Sequence, residues 1–233
     1  MSIIATCRAA LSIFSDPAVA AVTSHDSISI EDFRKKKIAL FINNSVKDMR
    51  YYSVITSIFF EQFFGEIMSV LPEKNDRPVF FLIDEASSLY ISHTLQIAMS
   101  NIRKYNSGIL QIYQDYNQLI NLYGQAEAKA INANAFAKVY MPGQPIGIAE
   151  ELSLTLGKFE YEDSDGKKQV RHLLTPDEAR QLDSSIILCG NKPAIKAELH
   201  PYYRNSKLVR WSKMAPYGPN IKAPFIPPLL QID

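Results

Sequence analysis

The sequence predicts an α/β fold with a mainly parallel central sheet flanked by helices. Short runs of apolar residues alternate along the chain with segments whose apolar residues recur every three or four positions. Strands that read as nearly unbroken apolar runs are typical of a parallel sheet covered on both faces, because helices cross over between its strands. The length of 233 residues and the apolar share of 47% fit one large domain or two small ones.

In the first part of the chain, helical segments separate three strands. The segment 2–14 has a helical pattern, and Asp16-Pro17 ends or kinks it, since the residue before a proline avoids the helical conformation. Apolar residues three and four positions apart predict a long helix from Val54 to Val70, which Leu71-Pro72 stops. The strands are predicted at 38–42, 79–83 and 109–113, with a further helix over 91–105.

The second part of the chain is less uniform. Its predicted helices lie at 114–122, 125–133 and 145–156, and a fourth strand is predicted at 136–141. Gly157 is a suitable residue to end the last of these helices. The polar segment 158–171 contains Asp165-Gly166, a pair typical of a tight turn between two strands.

Cap and turn signals organise the next segment. Thr175 can cap a helix, Pro176 fits its first turn, and Glu178 completes a capping box. The runs 185–188 and 194–199 predict a second hairpin at the edge of the sheet.

Composition and charge exclude several classes of protein. Lysine and arginine number 25 against 24 aspartate and glutamate, so the net charge of +1 excludes a generally basic nucleic-acid coat but not a local basic path. Cys7 and Cys189 are too few for a disulfide framework. The most apolar helical stretch, 51–71, contains Glu61 and Glu66 and is therefore predicted as a core helix, so we expect no membrane segment in the chain.

Two further features of the sequence are less specific. The basic run from Arg34 to Lys37 fits either contact with DNA phosphates or a solvated turn before a strand. The four histidines lie far apart along the chain and have no metal-ligand spacing. We therefore expect no metal site beyond a magnesium ion that accompanies a nucleotide.

The strongest candidate for chemistry is the apolar run that ends in Asp84-Glu85. In P-loop ATPases a buried strand presents an aspartate to Mg²⁺ at its carboxyl end, and a following glutamate polarises the attacking water. Ligands bind outside the carboxyl ends of parallel strands, which explains why the acids follow the apolar run. The alternative is an acidic pair that begins the next helix and is favoured by the helix dipole.

Several stretches, in the same order, resemble the type IV coupling proteins, the TraG/TraD-type ATPases of conjugation and type IV secretion. The resemblance covers roughly residues 3–205 and is carried by 83–86, 102–108, 114–119, 122–124, 156–157, 173–178, 190–193 and 201–203. Ile83-Asp84-Glu85-Ala86 is similar to the family's Walker B, and 102–108 is similar to its Arg-Lys-x-x-Gly segment. The resemblance implies a RecA-like P-loop ATPase fold that binds ATP and Mg²⁺.

The resemblance also implies roles for four residues. Asp84 would hold Mg²⁺, mostly through water, and Glu85 would orient the attacking water. Arg103 would act as an arginine finger that reaches the nucleotide of a neighbouring subunit, or would be only a solvated cation near a helix end. Gln114 would sense the γ-phosphate, or would satisfy free N–H groups at a helix start. Both carboxylates and Gln114 are expected along one edge of the sheet.

One part of such a site is missing from the sequence. No G-x-x-x-x-G-K-[ST] phosphate loop occurs in these 233 residues. In the family this loop lies upstream, together with a transmembrane anchor and most of an all-α insertion. We therefore expect an N-terminally incomplete fold with the end of that insertion at 1–28, a RecA-like domain lacking Walker A at 29–205, and a proline-rich extended tail at 206–233.

The expected function is that of a part of a hexameric, ATP-driven coupling protein. Such a protein recruits single-stranded DNA, or protein substrates, and pumps them into a type IV secretion channel. The resemblance implies a homohexamer that meets relaxosome proteins and channel components at the cytoplasmic face of the bacterial inner membrane. A FtsK/HerA-type translocase of duplex DNA and a non-enzymatic adaptor that docks on the secretion machinery are the alternatives. By itself this part is expected to hydrolyse little ATP.

Overall fold

The computed structural model describes residues 3–215, except 27, 44, 46, 90, 92 and 93. The described chain divides into two compact units. One comprises 3–114 and 118–131, and the other comprises 115–117 and 132–215. Each unit is a mixture of helices and short strands.

The first unit begins with short helices. Its helices are α1 (Ile3–Leu11), α2 (Pro17–Thr23), α3 (Asp32–Lys35), α4 (Met49–Ile67) and α5 (Thr94–Asn101), together with most of α6 (Tyr116–Tyr123) and α7 (Gln125–Asn134). Asp16 separates α1 from α2 as predicted, and its side chain caps α2 by accepting from the N–H groups of Ala18 and Val19. The proline at the first position of α2 fits this cap because a helix start needs no N–H there.

The apolar run 38–42 is not a strand, and that prediction was wrong. These residues adopt no regular structure, and their side chains are exposed, with Phe41 the most exposed of them. A run of apolar residues signals a tendency to be buried, but a strand also needs a partner for its backbone groups. The described residues supply no partner strand here.

Strands β1 (Val79–Ile83) and β2 (Ser107–Gln111) form a parallel pair in register from Val79 opposite Ser107 to Ile83 opposite Gln111. Helix α5 lies between them in the chain, as a parallel crossover requires. Phe81, only 7% exposed, packs its ring against Phe63 and Phe64 of α4, with ring centroids 5.1 and 4.7 Å away. This aromatic cluster forms the core beneath β1.

Within the residues that the structure describes, the opposite face of this strand pair is not covered, contrary to the expectation of helices on both faces. Phe80 and Leu82 are 68% and 73% exposed, and Leu110 on β2 is also exposed. Alternation of buried and exposed residues along β1 shows a strand buried on one side. The Phe80 ring lies over Gly108, where a Cβ would come within 3.1 Å of it.

The second unit contains two antiparallel sheets. Its elements are β3 (Ala137–Tyr140), α8 (Ile146–Leu156), β4 (Lys158–Glu162), β5 (Lys168–His172), α9 (Pro176–Arg180), β6 (Ser185–Cys189), β7 (Ile195–Ala197) and α10 (Ser206–Ser212). The sheet order β3-β6-β7 makes β3 an antiparallel partner of β6, whereas the sequence predicted a parallel strand. Strands β4 and β5 form the predicted hairpin. The core joins α8, α9 and β6 through Leu152, Ala179 and Ile186.

Two local predictions in this unit have different outcomes. The capping box is confirmed, because Thr175 and Glu178 exchange hydrogen bonds at the start of α9. The expectation of an extended tail from 206 is wrong for residues 206–212, which form α10. The Asn205 side chain starts that helix by accepting from the N–H groups of Lys207 and Leu208. Residues 216–233 lie outside the described residues.

Candidate functional site

The candidate site begins at the turn that follows β1. Glu85 has φ 50° and ψ 49°, a left-handed conformation that costs a non-glycine residue about 1–2 kcal/mol. The backbone of this turn is tied to the end of β2, since Ala86 N–H donates to Ile112 and Ile112 N–H donates to Ile83. A strained conformation of this kind persists only where the surrounding structure holds it.

The carboxylate of Glu85 is held by two side chains. The Ser87 hydroxyl donates to Oε1 over 2.9 Å. The Gln114 side-chain amide lies 3.3 Å from Oε1 and 3.2 Å from Oε2. Glu85 is half-buried, so these donors fix a carboxylate that still reaches solvent. The structure therefore brings two of the predicted residues, Glu85 and Gln114, into direct contact.

Gln114 is itself positioned by the start of α6. Its backbone N–H donates to Oε1 of Gln118 over 3.0 Å, so these two glutamines, four residues apart in the chain, are in contact. The side-chain amide of Gln114 donates to Glu85 and does not cap the helix. At the start of α6 the N–H of Asn117 is bound by another side chain, since Oδ1 of Asp115 accepts it over 3.0 Å.

Asp84 lies directly beside Glu85 and is exposed. Its Oδ1 accepts the N–H of Glu85 over 3.0 Å, a bond within the turn. Glu85, which precedes the 3₁₀ turn Ala86–Ser88, makes no capping hydrogen bond to it through its side chain. Both carboxylates thus lie at the carboxyl end of β1, which is the edge where parallel sheets bind ligands.

Arg103 occupies a different part of the unit. It lies in the 3₁₀ turn Ile102–Tyr105, which precedes β2, and it is exposed. Asn106 follows this turn and accepts the N–H of Val79, the first residue of β1. Because β1 and β2 are parallel, Arg103 lies at the amino ends of the strands and Glu85 at the carboxyl end of β1. The structure does not bring these two residues together within one chain.

The basic run at 34–37 has structural contacts. The Arg34 guanidinium is buried and donates to the carbonyls of Ile67 and Arg77, and its burial lowers the pKa. Lys35 pairs with Asp76 over 2.6 Å, and Lys36 pairs with Asp32 over 2.8 Å. These contacts favour a role in folding over contact with DNA phosphates for the first three cations.

Sequence reasoning missed Ser87 and Gln118 as parts of the site. Ser87 lies only two residues beyond the predicted catalytic glutamate, but the left-handed turn that joins the two side chains has no local signal in the sequence. Within the described residues, no cluster of three or more potential His, Cys, Asp or Glu ligands is placed to hold a metal ion. Two carboxylates with an amide nearby can instead share a cation with a bound ligand, since Mg²⁺ is commonly held by one or two carboxylates together with phosphate oxygens and water.

Comparison with solved structures defines the class of fold. The chain is similar to the bacterial conjugative coupling protein TrwBdeltaN70 in its unbound form, with a TM-score of 0.71 and 23% identity over 86% of this chain and 50% of that one. It is also similar to the plasmid coupling protein TrwB in complex with ADP and Mg²⁺, with a TM-score of 0.63 and 25% identity over 76% and 43% of the two chains. The fold is that of a RecA-like P-loop ATPase.

The family follows from the sequence itself. The model of the family described as type IV secretory system conjugative DNA transfer matches residues 1–224, and the chain belongs to this family. The protein VirD4 of Rhizobium rhizogenes is 26% identical over 217 residues, which are 86% of this chain and 32% of that protein. The coupling protein VirD4 of Bartonella quintana is 23% identical over 218 residues, 84% of this chain and 34% of that protein.

The chain spans about one third of the length of these curated relatives and at most half of the solved TrwB chains described above. Among the described helices, none combines the length and the apolar character that crossing a bilayer would require.

Proposed function

We propose that these residues supply the hydrolytic edge of an ATP-driven coupling protein for type IV secretion. The whole protein would bind ATP and Mg²⁺, form a homohexamer, and pump single-stranded DNA or protein substrates into the secretion channel. It would work at the cytoplasmic face of the bacterial inner membrane, together with relaxosome proteins. The observation that carries the proposal is the Glu85 carboxylate at the carboxyl end of β1, held by an amide from the end of β2.

The cofactors are supported by the names of the structural relatives and by the chemistry of the site. TrwB has been solved with an ATP analogue and with ADP and Mg²⁺. Bound Mg²⁺ would neutralise charge on the phosphates during phosphoryl transfer. Asp84 offers an exposed carboxylate, whose Oδ1 accepts one backbone N–H, and fits a cation held through water. Glu85, half-buried and fixed by Ser87, fits a base that orients one water molecule.

Gln114 fits a residue that reports on the nucleotide. In this structure its amide donates to both oxygens of Glu85. A phosphate oxygen in the site would compete for the same N–H groups, because charged acceptors make the stronger hydrogen bonds. Exchange of Gln114 from Glu85 to a phosphate would free the carboxylate to take a proton from water.

Arg103 fits an arginine finger that acts on a neighbouring subunit. Its position at the amino ends of β1 and β2 separates it from Glu85 in the same chain by the length of the strands, about 13 Å for five residues. A subunit of a ring that presents Arg103 to its neighbour would complete that neighbour's site. This arrangement requires a homo-oligomer, and a hexamer is the form we propose.

The phosphate cradle and the cover of the sheet are proposed to come from polypeptide outside these residues. The exposed apolar side chains of Phe80, Leu82 and Leu110 support this, because a sheet face of this kind is buried in a complete α/β domain. The greater length of the relatives also supports it. The proposed domain limits remain 1–28 for the end of an all-α insertion and 29–205 for the RecA-like part.

The test is a substitution at Glu85 in the full-length protein. Glu85→Gln should lower ATP turnover by about 100-fold or more, the usual contribution of a positioned base, while ATP binding is retained. Glu66→Gln, at an exposed position of α4, is the matched control and should turn over ATP normally. Normal turnover in the Glu85 variant would remove Glu85 from catalysis. Nucleotide binding without turnover in the unaltered full-length protein would favour the non-enzymatic adaptor.

A further inference from the structure

The segment 202–213 forms a basic and aromatic surface. None of its residues belongs to the candidate site described above. It comprises the 3₁₀ turn Tyr202–Arg204 and helix α10. The cations of this segment are Arg204, Lys207, Arg210 and Lys213, and no aspartate or glutamate occurs between residues 199 and 215. This local charge contrasts with the net charge of +1 for the whole chain.

These cations are exposed and differ in their contacts from those of the basic run at 34–37. None of the four forms an ion pair within the part of the chain that the structure describes. In the run at 34–37, by contrast, three of the four cations bind carboxylates or backbone carbonyls of the same chain. The charge on 202–213 therefore remains available to an anionic partner.

Large aromatic side chains are exposed on the same segment. Tyr203 is 66% exposed and Trp211 is 53% exposed, and Tyr202 is exposed beside them. The two tyrosine rings meet edge to face at 5.8 Å. Lys207 places its ammonium 4.8 Å from the centre of the Trp211 ring. Exposed tryptophan is unusual on a surface with no partner, and here it lies directly beside a cation.

The spacing along α10 brings these groups to one face. Lys207, Arg210 and Trp211 are three and four residues apart, which makes them neighbours on a helix surface. Leu208 and Val209 lie on the other side and are less exposed. A face with cations around a flat ring can bind phosphates and stack a base at once.

We propose that the surface at 202–213 binds single-stranded nucleic acid, with Lys207 and Arg210 on phosphates and Trp211 stacked on a base. In the cell the ligand is the single-stranded DNA of the proposed transport reaction, so this inference rests on the proposed function. Accessible bases favour a single strand over a duplex, because the bases of a duplex are already stacked on each other. The site is remote in sequence from the carboxylates that would serve ATP.

Trp211 is the only tryptophan of the chain, so its fluorescence reports on this surface alone. The 233-residue chain is titrated with an oligothymidylate of about 16 nucleotides, without ATP. We expect quenching of the emission as a base stacks on the ring. The Trp211→Ala variant should bind the oligonucleotide about 5- to 150-fold more weakly. Because this variant has no tryptophan, its binding is measured by the anisotropy of a labelled oligonucleotide.

A double variant separates charge from folding. Lys207→Ala with Arg210→Ala should weaken binding and reduce the slope of log affinity against log salt by about 1.4, as expected for two lost phosphate contacts. Lys167→Ala with Lys168→Ala removes the same charge from the exposed β4–β5 hairpin and should leave the slope unchanged. Circular dichroism of each variant checks the fold.

Three results would overturn the proposal. In the first, the oligonucleotide leaves the Trp211 emission unchanged. In the second, the two double variants have equal slopes of log affinity against log salt. In the third, anionic vesicles shift the emission to the blue while the oligonucleotide does not quench it. The last result would assign the surface to a membrane. Binding here needs no ATP, so its failure leaves the hydrolysis test at Glu85 intact, and loss of hydrolysis leaves this binding test intact.

Discussion

Two neighbouring phenylalanines of β1 give a test of how the strand pair is buried. Phe81 is 7% exposed and its ring contacts those of Phe60, Phe63 and Phe64. Phe80 points to the other face and is 68% exposed. Replacing each by alanine changes the same atoms at adjacent positions of one strand, so the two variants differ only in environment.

The expected costs follow from this difference. A buried phenylalanine replaced by alanine costs about 3–5 kcal/mol, because transfer free energy is lost and a cavity remains. For a chain of this size, 1 kcal/mol lowers the melting temperature by about 2–4 °C, so Phe81→Ala should lower it by about 6–20 °C. Phe80→Ala loses mainly the contact of its ring with Gly108 and should cost less than about 1 kcal/mol.

The measurement is thermal unfolding followed by circular dichroism, with urea unfolding as a second measure of the free energy. Equal destabilisation by the two substitutions would refute the one-sided burial of β1. In a full-length protein that covers this sheet face, the cost of Phe80→Ala should rise towards that of Phe81→Ala. A cost that stays small there would contradict the proposed cover.

The remaining predictions concern a helix cap and the subunit boundary. Hydrogen bonds from the backbone N–H of Thr175, the Arg171 side chain and the Thr175 hydroxyl lower the pKa of Glu178 from 4.5 to about 2. A carboxyl whose pKa is lower in the folded state stabilises the fold at pH values above its unfolded pKa. The wild type should therefore be more stable than Glu178→Gln at neutral pH, and this difference in stability should shrink as the pH falls from about 4.5 to 2. In the full-length protein, Arg103→Ala should abolish turnover, and mixing with Glu85→Gln subunits should restore part of it, because the two lesions affect different sites of one ring.

Each of these predictions has a contrary result. Urea unfolding at a series of pH values measures the stability of the Glu178 variant. A stability difference between wild type and Glu178→Gln that stays constant with pH would contradict the role of the ionised cap. Steady-state hydrolysis by mixed rings measures the second. Mixed rings of verified composition that stay inactive would show that Arg103 does not act across a subunit boundary.

The sequence was sufficient where local chemistry decides the structure. Strand β1 lies at the predicted residues 79–83. A short apolar run bounded by turn signals is typical of a buried strand. The cap at Thr175 was predictable, since its partners are three residues apart in the chain. The contact between Glu85 and Gln114 was anticipated in outline, because each residue follows a strand and the carboxyl ends of parallel strands share an edge.

Partners distant in the chain explain what could not be predicted. Burial of 38–42 and of the second face of β1 requires other polypeptide, and an apolar pattern does not say whether it is present. The antiparallel pairing of β3 depends on where β6 returns to the sheet. The contact of Ser87 with Glu85 depends on a left-handed turn that no local pattern indicates for a glutamate.

The left-handed backbone of Glu85 links stability to chemistry at a single residue. Glycine adopts this conformation without the steric cost that glutamate bears. A Glu85→Gly chain would therefore lose its acid while relieving strain in the turn, and it could fold as well as the original. Selection for thermal robustness alone would accept that change, so a screen that improves this protein has to score turnover as well as folding.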